Sequence, residues 1–122
     1  MPIIDVEIVG GSRDEVRKAS ADRIASAAAK VFGSPRGHTW VRLRTLDGDC
    51  YAENDAPVGP DEMPVFVTVL VARLPVGPDL AAQVDALTGA IAEAVDRPRD
   101  RVHVEYAPAG AGRLAFGGEL AT

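Results

Sequence analysis

Two stretches of this chain share one plan, and that repetition constrains the fold more than any local motif. Pro2-Ile3-Ile4-Asp5-Val6-Glu7-Ile8-Val9 and Pro64-Val65-Phe66-Val67-Thr68-Val69-Leu70-Val71 are strand-like apolar runs, each opened by a Met-Pro pair. Each leads into a helical pattern that ends near a proline, Pro35 in the first half and Pro98 in the second. Extended runs follow, His38-Thr39-Trp40-Val41-Arg42-Leu43 and Arg101-Val102-His103-Val104-Glu105-Tyr106. Each half therefore reads as a strand-helix-strand (βαβ) unit whose right-handed crossover makes its two strands parallel. The expected layout is one domain over 1–122, with repeat 1 at 2–46, a connecting segment at 47–63 and repeat 2 at 64–122.

The helices carry their own signals. Ser12 followed by Glu15 predicts a capping box that opens the first helix, because hydroxyl and carboxylate satisfy each other's backbone donors. Ile24, Ala27, Ala28, Val31 and Phe32 recur on one helical face, and Gly33 stops the helix. Leu80, Val84, Leu87, Ile91 and Val95 form the matching stripe after Pro78-Asp79. Two such helices side by side cover one face of a four-stranded sheet, an α/β (α+β) architecture. The connecting segment, rich in glycine and proline, predicts a loop with a short strand at Cys50-Tyr51-Ala52. Gly110, Gly112, Gly117 and Gly118 make the C-terminal part rich in turns. The run 64–71 is apolar on nearly every residue, as expected for a strand buried on both faces. Since two helices cover only one face, another subunit is expected on the second. Asp5 and Glu7 share one face of the first strand, so part of that second face is polar.

Composition removes several function classes. A net charge of −5 and a pI near 4.9 argue against nucleic acid or an anionic membrane as the main partner, while leaving room for an anionic substrate held locally by arginine. The lone Cys50 forms no intrachain disulfide, no apolar run is long enough to span a bilayer, and a cytoplasmic protein is the expectation. Cys50, His38 and His103 lack metal-ligand spacing. Gly10-Gly11-Ser12 offers backbone donors to an anion, but no dinucleotide fingerprint or phosphate-loop lysine accompanies it. Neither a metal nor a cofactor is expected.

Pro2 is the strongest chemical candidate. Removal of Met1, which a small second residue permits, leaves a secondary amine on a rigid ring. An α-amino group titrates at about 7.7–8.0, and burial or a neighbouring cation lowers that value. The free amine then serves as a general base near neutral pH. A Met-Pro start with no chemistry is the alternative, since proline is tolerated as the first residue of a strand.

Together these residues resemble the tautomerase superfamily, whose members are βαβ repeats with a catalytic amino-terminal proline. The single-repeat branch, 4-oxalocrotonate tautomerase, ends in a segment like Phe116-Gly117-Gly118-Glu119-Leu120-Ala121. The two-repeat branch, including malonate semialdehyde decarboxylase and macrophage migration inhibitory factor, is similar at Leu87-Thr88-Gly89-Ala90-Ile91, Pro98 and Asp100-Arg101-Val102.

The resemblance implies a pseudo-twofold axis between the repeats and a mixed sheet in which strand 2–9 runs antiparallel to strand 64–72. It also implies a homotrimer acting on a small carboxylate substrate without a cofactor. Arg73 then stands near Pro2 at the end of the facing strand, where it would bind a substrate carboxylate and depress the Pro2 pKa; a solvent-facing strand end is the alternative. Aligning on Pro35 puts Trp40 where single-repeat tautomerases carry an arginine, with Arg42 on the same strand face as a replacement and His103 as the second-repeat equivalent. Phe116 corresponds to the family's aromatic residue near the C-terminus, although a gap-free alignment puts Leu114 there. Pro64 lacks a basic nitrogen, so the symmetric site beside Ser12 and Arg13 is expected to be inert. The implied activity is a tautomerase or isomerase acting on a 2-hydroxydienoate, enol or 2-oxo acid. A decarboxylase or hydratase like malonate semialdehyde decarboxylase is the first alternative, but His38 stands in place of its aspartate and Pro75 in place of its second arginine. A non-catalytic binding protein on the same fold is the second.

Overall fold

The computed structural model describes residues 2–122, the side chains of residues 18 and 19 excepted; Met1, whose removal the Pro2 chemistry requires, lies outside them. Strands β1 (Ile3–Val9), β2 (Trp40–Leu46), β3 (Val65–Leu70) and β4 (Val102–Tyr106) form one sheet in the order β2-β1-β3-β4. β1 pairs parallel with β2, β3 pairs parallel with β4, and β1 and β3 run antiparallel down the middle. Helices α1 (Lys18–Phe32) and α2 (Pro78–Val95) pack against each other and against the sheet. The two parallel βαβ units are therefore as expected from the repeat, and their antiparallel meeting at β1 and β3 is as the resemblance implies.

Strand alternation decides what faces what. Ile4, Val6 and Ile8 of β1 and Val65, Val67 and Val69 of β3 are fully buried and meet Ile24 and Ala28 of α1 and Leu87 and Ile91 of α2 in one core. Burying each of the Val, Leu and Ile side chains among them contributes roughly 1.5–3 kcal/mol. The alternate residues, Asp5 and Glu7, Arg42 and Arg44, Phe66 and Thr68, His103 and Glu105, lie on the other face, where no helix packs. Phe66 is accordingly 36% exposed in the single chain.

The same alternation corrects the phase of the repeat. Inward residues are even-numbered in β1 and odd-numbered in β3, so equivalent positions must be an odd number of residues apart. Pro35 and Pro98 satisfy this, as do the left-handed helix caps Gly33 and Asp96 and the outward pair Trp40 and His103. Pro2 and Pro64 do not. The second Met-Pro is thus one residue out of step with the first and is not its structural counterpart.

Three further local expectations change. Ser12 and Glu15 do form a capping pair, with the Ser12 N–H donating to Glu15 Oε1 at 3.0 Å, but it closes a single 3-10 turn over Arg13–Val16. Arg17 is extended and the α-helix begins at Lys18, because Glu15 is also held by Arg97 and fastens that turn to the end of the sheet. No strand forms at 50–52. The Asp47 side chain accepts from the Asp49 N–H at 3.0 Å, which curls the chain into a 3-10 turn over Gly48–Cys50. The C-terminal segment is more ordered than a series of turns. Strands β5 (Ala115–Phe116) and β6 (Glu119–Leu120) form a hairpin whose turn, Gly117-Gly118, has φ of 57° and 90°, the positive values such a two-residue turn requires.

Candidate functional site

Pro2 is less than 2% exposed at the head of β1, and its carbonyl accepts a hydrogen bond from the Trp40 N–H at 3.0 Å. That bond fixes the start of β2 beside the start of β1. The Trp40 ring stacks on Phe116 of the C-terminal hairpin, with centroids 4.8 Å apart and planes inclined by 21°. His38 meets the same indole edge-on at 5.9 Å. Ile3, Trp40, Val41, Arg42 and Phe116 line an open cleft of about 350 Å³ on the helix-free face. Three of the residues singled out from sequence, Trp40, Arg42 and Phe116, therefore line one cleft with Ile3, the residue after Pro2, while the buried Pro2 ring is not in its lining. Leu114 lies behind the hairpin against Gly110, and the Phe116 ring forms the wall.

Arg73 approaches from the other side. Ile3 pairs with Leu70, so Val71 falls opposite Pro2, and Arg73 follows two residues later in a bend. The backbone there is held by Gly110 N–H to Val71 O and Ala111 N–H to Ala72 O, at 2.8 and 2.9 Å. The Arg73 side chain is exposed and has no ion pair or hydrogen bond among the described residues. Pro75 is half-buried two residues on.

Arg42 is differently placed. Its Nε donates to Asp5 Oδ1 at 2.6 Å and its Nη2 to Asp5 Oδ2 at 2.9 Å, a forked pair across the β1/β2 register. The hydrogen bond from Arg42 holds the Asp5 carboxyl below its usual value against the opposing effect of burial, and the same bond raises Arg42. One step along, Arg44 Nε donates to Glu7 at 3.2 Å. From the sequence Asp5 reads only as part of a polar sheet face, not as a site residue. Its signal was the register: Asp5 and Glu7 on one face of β1 stand directly opposite Arg42 and Arg44 on β2.

His103 lies elsewhere on the open face, in the row of Phe66 and Glu7, with its ring 5.6 Å from Phe66. Within one chain it is not brought to Pro2. Tyr51 sits over Phe66 as well, and its hydroxyl donates to Glu53 at 2.6 Å, which pushes the Tyr51 pKa up; Arg101 also donates to Glu53.

The Pro64 end of the sheet is filled from within the chain. Arg97 Nη1 donates to the carbonyls of Val9 and Met63 at 3.2 and 3.0 Å, and its Nη2 donates to Glu15. The Gly10-Gly11-Ser12 turn has no cradle of spare donors, because Gly10 N–H is spent on Leu46 O and Ser12 N–H on Glu15. Among the described residues no group of three or more metal-ligating side chains converges, and no helix is long and apolar enough to cross a membrane.

No protein-family model and no curated protein sequence matches the chain. Solved structures do. A wild-type fused 4-OT, an asymmetric trimer, superposes with a TM-score of 0.77 at 16% identity, covering 98% of this chain and 95% of that one. Macrophage migration inhibitory factor from Oncomelania hupensis gives 0.73 at 18% identity, over 98% and 97% of the two chains. Malonate semialdehyde decarboxylase gives 0.67 at 18% identity, over 94% and 90%. A sheet of two βαβ units with both helices on one face, matched over nearly its whole length, defines a class. The chain has the tautomerase-superfamily fold.

Proposed function

We propose that this chain is a cofactor-independent tautomerase, a single-domain homotrimer working in the cytoplasm on a small 2-hydroxydienoate, enol or 2-oxo acid. Once Met1 is removed, the Pro2 amine takes a proton from the substrate and returns it at another carbon. Burial of the ring disfavours the ammonium form and so keeps the amine unprotonated, able to accept a proton, at neutral pH. Arg73, with its guanidinium unpaired among the described residues, binds the substrate carboxylate and stabilises the enolate charge that develops during transfer. Trp40 and Phe116 form the apolar wall that orients the substrate and excludes water.

The observation that carries this reading is the gathering of Pro2, Trp40 and Phe116 by one hydrogen bond and one ring stack, at the strand end that Arg73 flanks. The trimer draws support from the uncovered face of the sheet and from fused 4-OT structures that are trimers. The test is ketonisation of phenylenolpyruvate and 2-hydroxymuconate, followed by absorbance with mass-verified protein lacking Met1. Pro2→Ala is expected to lower kcat by roughly 10²–10⁴-fold, the usual contribution of a positioned general base. Turnover that survives the substitution would remove Pro2 from the mechanism.

A further inference from the structure

The cleft on the helix-free face, which reaches Ile3 next to Pro2, has one cation in its lining, Arg42, and that cation is already paired. Both oxygens of Asp5 take donors from it, at 2.6 and 2.9 Å, in the planar fork that a guanidinium otherwise offers to a substrate carboxylate. The remaining lining, Ile3, Trp40, Val41 and Phe116, is apolar or aromatic. The indole and the Phe116 ring stack on each other, each with one face against the other, and the apolar surface they leave uncovered forms the wall. The next arginine on the strand, Arg44, is paired to Glu7 in the same way. An anionic group entering the cleft therefore meets a neutral ion pair whose acidic member repels it. A flat apolar group meets rings that stack on it.

We propose that Asp5 is the specificity-determining residue of this site. By holding Arg42 in a forked ion pair it withdraws the cleft's cation, so that the site takes an acid with one carboxylate and a planar apolar remainder in preference to a dicarboxylate. Arg73 receives the single carboxylate, and the Trp40–Phe116 wall receives the remainder. This deepens the tautomerase reading and rests on it for the reaction, but the ligand preference is measurable without turnover.

The experiment is calorimetric titration of the full chain lacking Met1 with cinnamate and with trans,trans-muconate. These two planar conjugated acids differ in carrying a phenyl ring or a second carboxylate. The native protein is expected to bind cinnamate more tightly. Asp5→Asn frees the guanidinium while keeping the side-chain shape, and is expected to move the affinity ratio roughly threefold to fivefold toward muconate, the size of effect an exposed ion pair exerts. The double variant Asp5→Asn with Arg42→Ala replaces one neutral pair by another and is expected to restore the native ratio. Asp5→Ser provides the same release of Arg42 should the asparagine variant fold poorly.

A native preference for muconate, binding of neither acid, or an unmoved ratio in folded Asp5→Asn would overturn the proposal. So would a loss of muconate affinity of roughly threefold or more in the double variant relative to native protein, which would mean that Arg42 already serves as a free cation. Selective cinnamate binding that shifts with Asp5, in a protein without proline-dependent ketonisation, would instead sink the catalytic reading and leave the Asp5 assignment standing.

Discussion

Asp5 and Arg42 show how one residue alters what its neighbour can do. The carboxyl of Asp5 is held below its ordinary value, first by the Arg42 hydrogen bond. A group whose folded-state pKa is depressed contributes stability above its unfolded value and loses it as pH falls through the folded one. The pair is therefore fully present above the ordinary aspartate range and is lost only as pH falls through the depressed folded value, where the carboxyl protonates. Acid titration of the Asp5 carboxyl carbon by NMR is expected to show a midpoint below that of an unstructured aspartate, and to move back toward it in Arg42→Ala; an unmoved midpoint would contradict the pairing. Arg73 makes the opposite case, a cation with no partner among the described residues. If Arg73 holds the substrate carboxylate as proposed, its replacement by alanine removes a charged hydrogen bond to substrate worth roughly 1.5–3 kcal/mol, so kcat/KM is expected to fall about 10–100-fold while the melting temperature stays within a degree or two. Steady-state kinetics beside a thermal melt check both halves. Gly11 is constrained by space alone. A Cβ there would stand 2.9 Å from both Ile8 Cγ2 and Thr45 Cγ2, so Gly11→Ala is expected to cost roughly 1–3 kcal/mol in a denaturant titration.

At the scale of elements, the strands and helices were legible because their signals are local. Period-two alternation in β1 and the 3.6-residue stripes of α1 and α2 need no tertiary information. What was not legible depends on partners distant in sequence. The break between Ser12 and Lys18 follows from Glu15 being claimed by Arg97, 82 residues away in the chain. The curl at Gly48–Cys50 follows from an Asp47 side chain that competes for the backbone. The phase slip of the second Met-Pro shows only when the pleat is known, because a sequence match says nothing about which face a residue takes. Arg97 is the element-scale prediction. It ties the ends of β1 and β3 to the turn before α1 through two carbonyls and one carboxylate, and it is largely buried. Arg97→Ala strands those acceptors and is expected to destabilise the chain by roughly 1–3 kcal/mol, measured by urea unfolding. A loss of activity without a loss of stability would contradict a structural role.

For the whole molecule, two helices and one sheet leave a face whose middle rows carry Phe66, Thr68, His103 and the paired charges of β1 and β2. If that face meets other subunits, the 12.8-kDa chain sediments at three times its mass, and Phe66→Asp, which places a charge in the contact, sediments as a monomer. A native monomer would remove the trimer from the account. Site legibility divides along the same line as fold legibility. Pro2, Trp40 and Phe116 could be grouped from motifs and resemblance, and one hydrogen bond and one ring stack now bring them together. The neutralisation of Arg42 could not, because it is a property of strand register. The central claim is that a free proline amine does the chemistry. The measurement that tests it most directly is kcat/KM for phenylenolpyruvate ketonisation by the chain with Met1 removed, beside the same chain with Met1 retained. Every side chain of the cleft is kept, while the Pro2 nitrogen becomes an amide and Met1 with its own primary amine stands before it. The account predicts turnover in the first and loss of at least about 10²-fold in the second; equal rates would contradict it.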